Sequence, residues 1–128
     1  MGLSEKTKTT LRIMYRNSRP EERGSIYVIR HGNDGPVKIG FARQNPQGRL
    51  EELQIGNPIT LMLCMTMPGT LKLEQAIHRV LRGKRIRGEW FEWNEATKML
   101  VEWMAMEPGF RKHEAFDLLQ IRYTRLEN

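Results

Sequence analysis

Two helical stretches and one dense run of cations carry the side chains that offer chemistry in this sequence. On a helical projection at about 100° per residue, Arg49 falls about 40° from Leu53, on the buried edge of its helix, whereas Glu51 and Glu52 point elsewhere. A guanidinium on such an edge needs a partner to offset desolvation, and a carboxylate or a bound phosphate serves equally; otherwise its stem packs while its head reaches water. Glu74 stands at the margin of a second apolar helix face with His78 one turn beyond it. The pair can share a site, or Glu74 can pair with a neighbouring arginine as an ordinary flank residue. Arg79, Arg82, Lys84, Arg85 and Arg87 put five positive charges into nine positions. Charges so dense repel one another unless something anionic lies near, so the run reads as a ridge facing phosphates or as a solvated face.

The elements that must position these groups are marked by turn and cap residues. Ser25 to Arg30 and Val37 to Phe41 are short β-rich runs separated by Gly32-Asn33-Asp34-Gly35, which predicts an antiparallel hairpin. Asn45-Pro46 starts a helix and Gly56-Asn57-Pro58 stops it, with Leu50 and Leu53 as its inward stripe. Ile59 to Met67 is almost continuously apolar, which predicts a central strand covered on both faces and closed by Pro68-Gly69. Thr70 then caps a helix whose apolar face is Leu73, Ile77, Val80 and Leu81. Trp90, Phe91 and Trp93 complete a core short of other aromatics, stacking on exposed bases being the alternative. Asn94 caps a helix through about Met106 with Leu100 and Trp103 inward, ended by Pro108-Gly109. The order is hairpin, helix, apolar strand, helix, short strand and helix. It predicts a small α+β domain with a largely antiparallel, three-stranded central sheet flanked by helices.

The expected division is a basic N-terminal extension over 1–24, a domain over 25–107 and a C-terminal extension over 108–128. In the first, Leu11, Met14 and Tyr15 make one side of a short helix ended by Arg19-Pro20, with a basic arm as the alternative. In the last, Phe116 and Leu119 suit a short amphipathic helix. At 128 residues and 39% hydrophobic, the chain suits one compact domain with a modest core. Lysine and arginine number 21 against 15 acids, a net charge of +6 that favours a polyanionic partner. The single Cys64, inside an apolar run, reads as a buried thiol in a reducing compartment and leaves no zinc ligand set. No stretch approaches the ~20 apolar residues of a membrane span and the start is not of signal-peptide type, so a soluble, cytoplasmic protein is expected.

The residues now carry a resemblance. Ser25-Ile26-Tyr27, followed by Val37-Lys38-Ile39-Gly40, resembles the paired tripeptides that name the GIY-YIG nuclease superfamily, with Lys38 where the second tyrosine stands. Arg49 in Arg49-Leu50-Glu51-Glu52-Leu53-Gln54, Glu74 with His78, and Gly88-Glu89-Trp90-Phe91 follow in order, and the set looks most like a branch of small phage and prophage proteins often labelled DNA-binding domains. The resemblance implies a metal-dependent endonuclease that hydrolyses phosphodiester bonds in DNA, with magnesium or manganese held by Glu74. It implies that Arg49 holds the phosphate and that Tyr27 orients or deprotonates the attacking water, a role needing a pKa below the usual ~10. Lys38 then lowers that pKa or grips a phosphate, Glu89 stands in as a polar site residue, and His78 is accessory. The same fold without turnover gives a DNA-binding module, and a basic face for an acidic protein partner is a third reading. A monomer offers one such site, so cutting both strands requires a dimer or sequential nicks, and the oligomeric state is left open.

Overall fold

The computed structural model describes residues 3–33 and 35–110. In chain order these form α1 (Glu5–Arg16), β1 (Arg23–His31), β2 (Val37–Ala42), α2 (Pro46–Gln54), β3 (Leu61–Thr70), α3 (Leu71–Val80), β4 (Arg85–Arg87), β5 (Trp90–Phe91) and α4 (Glu95–Met106), with single 3-10 turns at Pro20–Glu22, Arg82–Lys84 and Pro108–Phe110. The α+β class holds, but the expected three-stranded sheet is wrong: the sheet has five strands in the order β3-β1-β2-β5-β4, every neighbouring pair antiparallel. The error lies at Arg85 to Phe91, where strands of three and two residues are too short for alternation to register. Gly88 turns this small hairpin at a φ of +57°, a conformation that glycine adopts without a Cβ penalty. Strand β5 is held less by its ladder to Val37 and Lys38 than by Phe91, whose side chain is fully buried, a term of about 1.5–3 kcal/mol.

Strand β3 corrects a second expectation. It runs through Pro68-Gly69 to Thr70, and it lies at the edge of the sheet, beside β1 only. An edge position is what lets Pro68, which has no N–H, remain inside a strand. Its pairing slips at Val28/Ile29, so that Met65 faces Val28 but Leu63 faces Ile29 and Cys64 is the extra residue. This bulge reverses the alternation. Leu61 and Leu63 lie in one core cluster, whereas Cys64, Met65 and Met67 lie in the other, which is why the run reads as apolar at nearly every position.

The sheet is the middle of three layers. On one face α1, α3 and α4 bury Leu11, Tyr15, Leu73, Ile77, Leu100, Val101 and Met104 against Ile26, Val28, Val37 and Ile39. On the other, α2 lays the half-buried Leu50 and Leu53 on Tyr27, Ile29, Ala42, Leu61 and Leu63. Helix starts follow the cap residues: Asn45, Thr70 and Asn94 accept from the backbone amides of Gln47, Leu73 and Thr97 respectively. The helical alternative for the N-terminal stretch is the one adopted, with Leu11 and Tyr15 in the core. Val80, expected on the apolar face of α3, is 39% exposed because it faces α1 across a groove rather than the sheet. Phe110 is buried edge-on to Tyr15 and Trp103. The helix expected around Phe116 and Leu119 lies outside the described residues. No helix among the described residues is long and apolar enough to cross a membrane.

One close approach fixes the hairpin. Tyr27 and Gly40 are cross-strand partners, and the tyrosine ring lies where a Cβ on residue 40 would stand, against both the hydroxyl and the ring carbon that bears it. Gly40→Ala is therefore expected to lower stability by about 1–3 kcal/mol through overpacking. Gly48→Ala, in α2 with open space around the new methyl, is expected to raise it by about 0.5–1 kcal/mol. Urea unfolding midpoints of the two variants check the opposite signs.

Candidate functional site

Strand β2 has β1 along its whole inner edge, but β5 covers only Val37 and Lys38 on its outer edge. Past that point its backbone groups find other partners. The Ile39 amide donates to the Glu89 carbonyl at 3.1 Å, the Ile39 carbonyl accepts from His78 Nε2 at 2.7 Å, and Glu74 is hydrogen-bonded to the Phe41 backbone. A carboxylate and a carbonyl can only accept, so the Phe41 amide donates to Glu74 and Nε2 carries the His78 proton. The imidazole then turns Nδ1 towards Glu74, 3.8 Å from Oε1. Helix α3 is thereby pinned alongside the strand, with Glu74 in its first turn only 4% exposed.

Lys38 lies on the same face of β2 as Gly40, with Tyr27 across from Gly40. Its ammonium is 2.7 Å from Glu89 Oε1, is 5.9 Å from the ring centre of Trp90, and is almost wholly buried. Glu89, in the β4–β5 turn, hydrogen-bonds in turn to Glu74. Burial above all, then the charge of Glu89 and the hydrogen bond with it, push the Glu74 carboxyl up to about 7 from its ordinary 4.5, against the pull of Lys38 and the Phe41 amide. A hydrogen bond between two carboxyls requires a proton on one of them, which fits the raised Glu74 value.

On the far side of Gly40, Tyr27 is buried and hydrogen-bonded to Arg49. Arg49 does not occupy the buried edge that its helical angle predicted; it is about half exposed, because α2 meets the sheet through Leu50 and Leu53 and leaves Arg49 at the rim. Its guanidinium also donates to Glu52 Oε1 at 2.8 Å, so Glu52, which the sequence reading turned away, is its carboxylate partner. The hydrogen bond to Tyr27 first, and that to Glu52 next, raise the Arg49 pKa. The spacing of three residues within a helix was the available signal for Glu52.

Tyr27, Lys38, Arg49, Glu74, His78 and Glu89 thus form one polar band from α2 across the sheet to α3. The five cations of the basic run do not stay together. Arg79 and Arg82 line a groove between α1 and α3 with Lys6, on the side of α3 away from Glu74. Lys84 ends a 3-10 turn, and Arg85 and Arg87 stand on edge strand β4. Phe91 and Trp90 pack rather than stand free: Phe91 is buried against His78, and Trp90 lies against the Tyr27 cluster. Among the described residues, no three His, Cys, Asp or Glu side chains gather into a metal cage. The Glu74–Glu89 pair still suits a hard cation that keeps most of its waters, since two carboxyls forced together need a positive charge or a proton between them.

The family model for the T5orf172 domain matches residues 24–106, well over half of the chain. The chain belongs to the T5orf172 domain family. This places it among phage-type domains that are nuclease-like or DNA-binding. No curated protein and no solved structure matches the chain. The whole polar band falls within the T5orf172 domain.

The raised Glu74 pKa has a defined sign in stability. Between the unfolded value near 4.5 and the folded value near 7 the native state holds the extra proton, so stability falls as pH rises through that window. In chelator-containing buffer, Glu74→Gln, neutral at every pH, is expected to match wild type near pH 4. It should exceed wild type by about 1–2 kcal/mol at pH 8, allowing for screening by water at the open side of the band. Parallel thermal melts across pH would sink the assignment if the difference stayed constant.

Proposed function

We propose that this T5orf172 domain is a metal-dependent endonuclease of GIY-YIG type that hydrolyses phosphodiester bonds in DNA. The observation that carries the reading is the polar band itself: a cation, a phenol and a buried carboxyl are held on adjoining elements around one strand edge. Glu74 would hold a magnesium or manganese ion, which supplies charge neutralisation at the scissile phosphate. The rest falls to this chain's own side chains. Arg49, half exposed and planar, suits a bidentate grip on the phosphate and stabilises charge as it develops there. Its present partner, Glu52, is an exposed neighbour three residues along, and such pairs contribute only about 0.2–1 kcal/mol, so an incoming phosphate displaces it readily. Tyr27, fixed over Gly40 and bonded to Arg49, orients the attacking water. That water's oxygen bonds to phosphorus as the bond to the leaving sugar oxygen breaks; the water gives up a proton to solvent and the leaving oxygen takes one up from it. His78 is a positioning residue whose bond to the Ile39 carbonyl sets the azimuth of α3.

A DNA-binding module without turnover is the second reading, favoured by one observation: Lys38, at the position of the second tyrosine, is already engaged by Glu89. Incubation of supercoiled plasmid with the full chain separates the two. Nicked or linear product in magnesium, lost with EDTA and reduced about 100-fold or more in both Glu74→Ala and Arg49→Ala, is expected of the nuclease. Arg49→Ala should stay folded, losing at most about 1–3 kcal/mol for the Tyr27 hydroxyl left without its partner. Intact plasmid alongside a gel shift that weakens steeply with salt would establish the binding module instead.

A further inference from the structure

One carboxylate is a thin hold on a divalent cation, because magnesium and manganese exchange water for protein oxygen reluctantly and gain affinity with each anionic ligand. The next acidic group along the strand edge is Glu89. Its backbone is anchored on β2 by the bond from the Ile39 amide, which brings its carboxyl to Glu74, while its Oε1 receives the Lys38 ammonium. Lys38 is 8% exposed, in a position where an ammonium is costly without a partner. Glu89 is the only acidic side chain paired with Lys38 among the described residues. Two acids and one ammonium therefore meet at a place where the two acids together would supply two oxygen ligands to a cation and leave the rest to water.

We propose that Glu89 is the second carboxylate ligand of the cation held by Glu74, and that Lys38 is a built-in counterion that takes the cation's place on Glu89 until it binds. The inference rests on the nuclease reading for its first ligand, Glu74, and extends it to the residues that make the site open and exchangeable. When the cation takes the Glu89 carboxylate, the Lys38 ammonium loses its partner. Standing on the Tyr27 face of the sheet, it becomes the second phosphate contact beside Arg49. Lysine at this position is then compatible with cleavage: its charge is masked in the metal-free protein and released in the loaded one.

The test is Mn2+ alone, titrated into the full chain without DNA and followed by loss of the free-ion electron paramagnetic resonance signal. Glu89→Gln is expected to weaken Mn2+ binding about tenfold or more, as loss of a ligand does. Lys38→Met is expected to tighten it about threefold or more, because the competing cation is gone. Should Lys38→Met fail to fold, Lys38→Gln carries the same expectation. Were Glu89 merely the residue that positions Lys38, the Glu89→Gln variant would bind Mn2+ as well as wild type or better; that result overturns the proposal, as does weaker binding by the Lys38 variant or no saturable binding by wild type. Plasmid incubated with wild type at the same Mn2+ concentration separates the two readings. Expected shifts in affinity with uncut plasmid overturn the nuclease and leave the two-carboxylate site standing, whereas cut plasmid with unchanged affinity in Glu89→Gln overturns the site alone.

Discussion

The outer edge of strand β2 is the constraint on which the rest of the structure depends. Backbone N–H and C=O groups that leave water must find partners, and a strand interior to a sheet normally finds them on both sides. Here β5 stops after two residues, and the remaining groups are satisfied by Glu89 backbone, His78 imidazole and Glu74 carboxylate in succession. A longer β5 would have completed the ladder and sealed the edge. The short one makes two side chains of α3 into structural partners of the sheet, and so fixes their positions to the precision of a strand.

The same edge sorts the charged groups by how firmly they are held. Glu74 and His78 are buried and held against the β2 backbone, so they need little reorganisation when a ligand arrives. Arg49 is the reverse: its backbone belongs to a helix set by Leu50 and Leu53, but its head stands at the rim with a weak, exposed partner. A rigid acidic centre beside a movable guanidinium matches the needs of a polyanionic substrate, which must first be captured and then aligned. Gly40 joins the two halves, because only the absence of a Cβ lets Tyr27 lie across the strand and reach Arg49.

How much of this was legible depended on whether a residue's setting was local. The hairpin and the caps at Asn45, Thr70 and Asn94 are local signals and could be read directly, whereas the ordered set Tyr27, Arg49 and Glu74 came from the resemblance. The edge position of β3 was not legible, because helices on both faces bury it as fully as a central strand and the bulge at Cys64 erases its alternation. Between α3 and α4 one short strand was expected where there is a pair, β4 and β5, because Arg85-Ile86-Arg87 is exposed throughout and Phe91 alone ties the pair to the core. The angle of Arg49 about its own helix axis is a local property, but the orientation of that helix over the sheet is a tertiary one set by Leu50 and Leu53. Glu89 could be named as a site residue, whereas its contact with both Lys38 and Glu74 exists only once β5 is paired with β2.

The division of the basic run narrows how a nucleic acid can approach. Arg79 and Arg82 line the groove between α1 and α3 rather than the polar band, so they add nothing to the surface that presents Glu74. Arg87 is different: it pairs with Trp90, whose side chain joins the Tyr27 cluster, so it shares the face from which Lys38 and Arg49 are reached. Arg85 sits over the Phe91 ring on the other face. Two arginines two residues apart on one edge strand thus have separate physical roles. Both blunt an edge that would otherwise template pairing with another chain, but only Arg87 adds to the field around the band. Charge density along the sequence therefore overstates the phosphate-facing surface, and the strand register, rather than the count of cations, decides which of them a backbone phosphate at Glu74 would meet.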